Sequence, residues 1–262
     1  MPTKIFFIPE PVVFAYRGGI PGLPPDTLDA YRKCIELGAH VIYVDVWLTG
    51  DNRVVIASGG ALNVISNGKG KVSDHSLKEL KELDSAYHFM RDGVSAFRGK
   101  GITFQTLEEV LEIFPAQRFN INIMENKEPL AEAVLDIVRR SNSENRVLIS
   151  SYFQGPVNRV RKKNPEIATS MTMREIIAVY ALFKTGLLFL KKRMKGDAMQ
   201  IQEVFGTSYL ANRGLIHALK MRGVRIHVLG VADEKQLRRC ADSGADGFIM
   251  PDIGIYINPG SL

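Results

Sequence analysis

The sequence predicts an α/β protein folded as a closed (β/α)8 barrel with one subdomain inserted after the third strand. Three observations point there. Short β-branched runs alternate with helical patterns along the whole chain. The length of 262 residues suits one barrel of this kind. No G-x-G-x-x-G follows the first strand to recommend an open doubly wound sheet instead.

In chain order the strand candidates are 12–16, 41–48, 53–57, 118–124, 147–151, 168–171, 198–201, 225–229 and 247–250. Between most of them lie helical patterns at 27–37, 106–114, 130–141, 157–163, 212–222 and 234–243. Nine strand candidates compete for eight places, so one is accessory. Residues 41–48 and 53–57 are joined only by Thr49-Gly50-Asp51-Asn52, too short for a crossover. That junction predicts a tight hairpin with Asp51 and Asn52 at positive φ, in a register that sets Asp45 against Ser58 and Tyr43 against Gly60. Residues 59–102 form the insertion at the barrel mouth, the rest of 1–262 being a single domain. Within the insertion, Ser76-Leu77-Lys78-Glu79 reads as a capped helix start.

Composition narrows the function classes. With 45% hydrophobic residues and a mean hydropathy of −0.02, disordered and fibrous classes are excluded. The net charge of +6 comes from scattered Lys and Arg, densest at Lys191-Lys192-Arg193-Met194-Lys195. Aromatics do not interleave with that run, so no nucleic-acid partner is expected. Residues 176–190 contain Lys184 and Gly186 and read either as a buried helix or as one lying on a membrane surface, with weak contact from Ile176 to Lys195. The N-terminal stretch lacks a secretory pattern and no apolar run reaches transmembrane length, which makes a cytoplasmic location the expectation. Cys34 and Cys240 lie far apart in helical patterns and read as buried free thiols.

Barrel enzymes carry reactive groups at strand ends, yet the run Val54-Val55-Ile56 ends in Ala57-Ser58-Gly59-Gly60. The segments "YRGG…PPDT", "YVDVWLTGDN", "SNGKGKVSDHSLKELKELD", "FRGKGITFQTLEEVLEIFP", "RFNINIM" and "ADGFIMPDIG" together resemble the glycerophosphodiester phosphodiesterase family. The resemblance implies a TIM barrel, hydrolysis of phosphodiesters by two histidines, and a Ca²⁺ or Mg²⁺ ion held by carboxylates. Position by position it also implies replacements. The family's His-Arg-Gly is Tyr16-Arg17-Gly18, which keeps the phosphate-binding arginine. Its Pro-Glu-Asn-Thr is Pro24-Pro25-Asp26-Thr27, and its Glu-x-Asp is Tyr43-Val44-Asp45. Its His-Asp is Ser58-Gly59, its Glu-x-Lys is Asn122-Ile123-Met124, its Trp-Thr-Val-Asn is Leu229-Gly230-Val231-Ala232, and its Thr-Asp is Met250-Pro251.

From these replacements the family's metal site is expected to be lost, with no cofactor in its place. The mouth is expected to be an apolar, aromatic pocket lined by Tyr16, Arg17, Tyr43, Trp47, Met124, Gln200, Leu229 and Met250, taking an aromatic or lipid-like small molecule. The leading expectation is a repurposed or engineered barrel in which Asp45 acts as general base on a carbon acid, with Ser58, Asn122 or Tyr16 donating to the developing anion. Against it stands the reading that Asp45 merely pairs with Arg17. Glu125 and Glu203 are alternative bases. A Schiff-base lysine is not expected, since no strand position carries one. The alternatives are a non-catalytic ligand- or lipid-binding barrel and a residual phosphodiesterase. Of the five histidines, His227 sits within a strand and is the one to check.

Overall fold

The structure, a computed structural model, describes residues 3–10, 12–206 and 208–257. Eight parallel strands form the barrel: β1 (Val13–Tyr16), β2 (Val41–Leu48), β5 (Arg118–Ile123), β6 (Val147–Ser150), β7 (Ala168–Thr169), β8 (Ala198–Gln202), β11 (Arg225–Leu229) and β12 (Gly247–Met250). Their order is β7-β6-β5-β2-β1-β12-β11-β8. A parallel bridge from Ser170 to Ala198 joins the two ends and closes the ring. The accessory strand is β3 (Val54–Ile56), which runs antiparallel to β2 and pairs in turn with β4 (Gln105–Thr106). The insertion lies between β3 and β4, where sequence places it. It carries α2 (Leu62–Ile65) and α3 (Leu77–Lys81), and the latter is capped by Ser76 and Glu79 as expected.

The strands alternate, and this sorts every side chain. On β2, Val41 and Tyr43 join Phe14, Leu148 and Ile249 inside the barrel, while Ile42, Val44 and Val46 pack outward against the helices. The helical layer is α1 (Leu28–Glu36), α4 (Leu107–Ile113), α5 (Glu128–Arg140), α6 (Gln154–Lys163), α7 (Met173–Lys184), α8 (Arg213–Lys220) and α9 (Glu234–Asp242), with a last turn α10 (Gly254–Ile257). A small hairpin, β9 (Val204–Phe205) with β10 (Ser208–Tyr209), was not foreseen. Nor was the plug at the barrel floor, where a 3-10 turn Ile5–Phe7 buries Phe6 and Phe7 below the interior layer.

Three expectations are corrected. The hairpin register is one residue off: Val46 pairs with Ile56, so Asp45 stands beside Ala57 and not Ser58. The shift arises because Thr49 closes the turn onto Arg53 through both backbone and hydroxyl, with Asn52 but not Asp51 at positive φ. The helix expected at 176–190 is two pieces: α7 starts earlier, at a Thr172–Glu175 capping box, and stops at Thr185. Gly186, at φ 72°, then turns the chain into a 3-10 segment Leu187–Leu190. Met250 faces the helices, not the mouth, because its neighbour Ile249 takes the inward position.

Candidate active site

The C-terminal ends of β1, β2 and β5 deliver three polar side chains to one point. Arg17 follows β1 in a left-handed turn, its N–H donating to Tyr43 O at 2.9 Å and its carbonyl accepting from Asp26 N at 3.0 Å. The turn is tight: a Cβ on Gly18 (φ 97°) would lie 2.7 Å from Ala30 Cβ, so glycine lets α1 close against it. Asp45 and Asn122 are direct partners across the β2–β5 ladder. Arg17 donates to Asp45 Oδ2 from Nη2 at 2.6 Å and Nε at 3.0 Å, and Asn122 Nδ2 donates to Oδ1 at 2.7 Å. Both oxygens of a nearly fully buried carboxylate are thereby engaged.

From Asn122 a polar chain descends through the barrel. Ser150 Oγ donates to Asn122 Oδ1 (3.3 Å) and accepts from Asn120 Nδ2 (2.8 Å), whose Oδ1 accepts from Gln200 Nε2 (2.5 Å). It ends near His227, 3.4 Å from Gln200, whose ring packs 4.5 Å from that of Phe14. Burial drives the His227 pKa down to about 3, so this imidazole is neutral and sealed from the mouth. Above the chain, the Tyr16 and Tyr43 rings lie 5.3 Å apart, with the Arg17 guanidinium 4.6 Å from the Tyr16 ring centre. Burial, reinforced by the charge of Asp45, raises the Tyr16 pKa, so the phenol remains a neutral donor.

Of the residues named from sequence, Tyr43, Asn122, Met124, Gln200 and Leu229 line one cavity of about 420 Å³ together with Ser150. Arg17, Asp45 and Tyr16 adjoin it through Asn122 and Tyr43. Trp47 does not: it donates from Nε1 to Ala57 O and packs beside the satellite core of the insertion. Ser58, displaced by the register shift, lines a separate narrow cavity with Asp26. Met250 is absent from the mouth for the reason given above. Glu125 is held by Leu48 N and Lys127, and Glu203 by a paired contact with Arg239 that lowers its pKa, so neither faces the cavity.

Sequence reasoning passed over Asp26. This residue, at φ 60°, accepts from Tyr31 Oη at 3.2 Å through Oδ1, while Oδ2 is buried with no partner among the described residues. Burial raises its pKa to about 7; the Arg17 charge opposes that rise and the Asp45 charge adds to it. The available signal was its place: the one carboxylate in the loop that leaves Arg17. Ser150 was equally legible, two residues beyond the inward Leu148. Among the described residues no group of three or more His, Cys, Asp or Glu is placed to hold a metal ion, and no helix is long and apolar enough to cross a membrane.

With this geometry in view, relatives of known name are informative. Residues 17–255 match the glycerophosphoryl diester phosphodiesterase family. A glycerophosphodiester phosphodiesterase of Caldanaerobacter subterraneus is 28% identical over 256 residues, covering 94% of this chain and 96% of that protein. Another from Bacillus altitudinis is 31% identical over 253 residues, covering 94% and 97%. The glycerophosphoryl diester phosphodiesterase domain of a Mycobacterium tuberculosis protein superposes with a TM-score of 0.81 at 16% identity, covering 92% of this chain and 96% of that one. An Oleispira antarctica phosphodiesterase solved with its product sn-glycerol-3-phosphate gives 0.73 at 20%, covering 92% and 93%.

These findings overturn the expectation of a lost-site barrel working as a general base on an aromatic carbon acid. The chain-long relatives are named for phosphodiester chemistry, and the proposed base is tied to Arg17 and Asn122. Matched from Arg17 almost to its end, the chain belongs to the glycerophosphoryl diester phosphodiesterase family.

Proposed function

We propose that this protein is a phosphodiesterase acting on glycerophosphodiesters, with Arg17 as the cation that holds the substrate phosphate. One observation carries this reading: a chain-long likeness to proteins named for that activity, with an arginine side chain, 23% exposed, at the mouth end of β1. A guanidinium offers a planar fork to two phosphate oxygens, and the aromatic ring of Tyr16 beneath it limits its motion.

The finer part of the proposal concerns how the site departs from the family pattern. Tyr16 and Ser58 stand where the family's histidines are expected, and Pro25, Tyr43 and Asn122 stand where its carboxylates are. A divalent cation does not fit the residues present. Asp45 is already engaged at both oxygens, and a positive guanidinium lies 2.6 Å from one of them. Arg17 holds the phosphate while water attacks the phosphorus, so that the new P–O bond forms as the bond to the alcohol breaks and the proton shed by the water passes to the departing alcohol. Glycerol phosphate and the free alcohol result.

The test is release of glycerol phosphate from glycerophosphocholine and glycerophosphoethanolamine by the purified chain and by Arg17→Ala. Turnover that Arg17→Ala lowers by about 10²-fold is the expected result. No release by the unaltered chain, or full activity without Arg17, would overturn it.

A further inference from the structure

The end of the barrel opposite the mouth carries a surface that the phosphodiesterase reading does not use. Between Glu175 and Asp197 the chain has no acidic residue, while Lys184, Lys191, Lys192, Arg193 and Lys195 are all basic. Within that stretch the 3-10 segment Leu187–Leu190 turns three large apolar side chains outward. Phe189 is 67% and Leu190 66% exposed, and Leu187 is exposed too. The display is fixed in place. Leu188 is buried, and Arg222 donates to Leu188 O at 3.1 Å and to Lys191 O at 2.9 Å, pinning both ends of the segment.

Arg222 precedes β11, and the plug Ile5–Phe7 closes the same end, so the segment lies at the barrel floor. Met221, at 73% exposure, and the exposed Ile5 and Ile8 add to the apolar surface there. Beside them opens a cleft of about 410 Å³ lined by Lys4, Lys192, Arg193, Lys195, Arg222 and Arg225. Lys4 is neutralised by Asp197 and Arg225 by Glu10, but Lys192, Arg193 and Lys195 form no ion pair among the described residues. Scattered apolar side chains on a surface are ordinary; several at one end, ringed by unpaired cations, are not.

We propose that this floor docks on an anionic phospholipid surface, with Leu187, Phe189 and Leu190 entering the headgroup–acyl boundary and the basic cleft receiving lipid phosphate. Charge complementarity selects that occupant. Apolar side chains contribute nothing to holding a nucleic acid backbone, and an apolar protein partner does not need the cations. Docked this way, the protein turns its mouth toward water, where small glycerophosphodiesters are dissolved. The docking itself does not depend on the proposed activity.

The experiment is co-sedimentation of the full chain with vesicles of phosphatidylcholine mixed with phosphatidylglycerol, and with phosphatidylcholine alone. Binding to the anionic vesicles that weakens with salt is expected, at about fivefold in partition per basic side chain removed. Lys192→Glu with Arg193→Glu should abolish it, and Phe189→Ser with Leu190→Ser should weaken it at least as much as losing one charge. Val64→Ser, an equally exposed site on the insertion, should leave it unchanged. All of these sites are exposed, so unchanged melting profiles will separate lost docking from lost folding. Glycerol phosphate release by each variant distinguishes failure of docking from failure of the site. Absence of vesicle binding, binding indifferent to both double variants, or tighter binding to duplex DNA than to anionic vesicles would each overturn the proposal.

Discussion

Arg17 and Asp45 meet across the barrel mouth, with Nη2 at 2.6 Å and Nε at 3.0 Å from the same carboxylate oxygen. The pair joins the turn after β1 to strand β2, and its acidic member is almost wholly removed from water. Removing one partner leaves a buried charge alone. Arg17→Ala is expected to destabilise the fold by about 3 kcal/mol, and Asp45→Asn in the same chain to restore much of that loss. Urea unfolding of the two single variants and the double variant measures the coupling; strictly additive effects would contradict the pairing.

Catalysis should follow the same residue. Arg17→Ala should lower kcat/KM for glycerophosphodiesters by about 10²-fold, and Arg17→Lys should recover only part, because an ammonium lacks the fork. A chelator should leave the rate of the unaltered chain unchanged, since Asp45 has no oxygen free for a cation. Strict dependence on added Ca²⁺ or Mg²⁺ would refute this account of the site.

Asp26 predicts a pH dependence of stability. Its ordinary pKa of 3.8 rises to about 7 in the folded state, chiefly through burial. Between those values the folded chain holds a proton that the unfolded chain has lost. The contribution is therefore fully present below the unfolded value and is lost as pH rises through the folded one. Asp26→Asn should flatten the fall in unfolding free energy between about pH 4 and pH 7 that the unaltered chain shows. If the variant kept the same slope, Asp26 would not be its source.

Met250 and Leu229 should behave differently although both were expected at the mouth. Met250 is fully buried against the helical layer, so Met250→Ala should cost about 2–4 kcal/mol by leaving a cavity. Leu229 borders the cavity and is only partly buried, so Leu229→Ala should cost less and change KM instead. Denaturant midpoints together with KM values distinguish the two.

Gly60 is required by Trp47. A Cβ at that position would stand 2.6 Å from the indole ring, which is held by its bond to Ala57 O. Gly60→Ala should therefore destabilise the insertion by about 1–3 kcal/mol, read as an earlier transition in Trp47 fluorescence.

Strand–helix alternation, the four-residue hairpin link and the capping box at Ser76 are local patterns, and so the barrel and the place of its insertion could be read directly from the residues. The family resemblance picked out Tyr43, Asn122 and Leu229, and the pleat of their strands turns them, together with Gln200, toward one cavity. Other features depended on contacts between distant segments. A one-residue register shift, set by Thr49 gripping Arg53, moved Ser58 from Asp45 to Asp26. The inward place belonged to Ile249, and Met250 was turned outward. A single glycine at positive φ divided a helix that periodicity made continuous and left Phe189 and Leu190 exposed at the barrel floor. The charge state of Asp26 was equally hidden, because it arises from burial and from the field of Arg17 and Asp45, and those three residues become neighbours only when the chain folds.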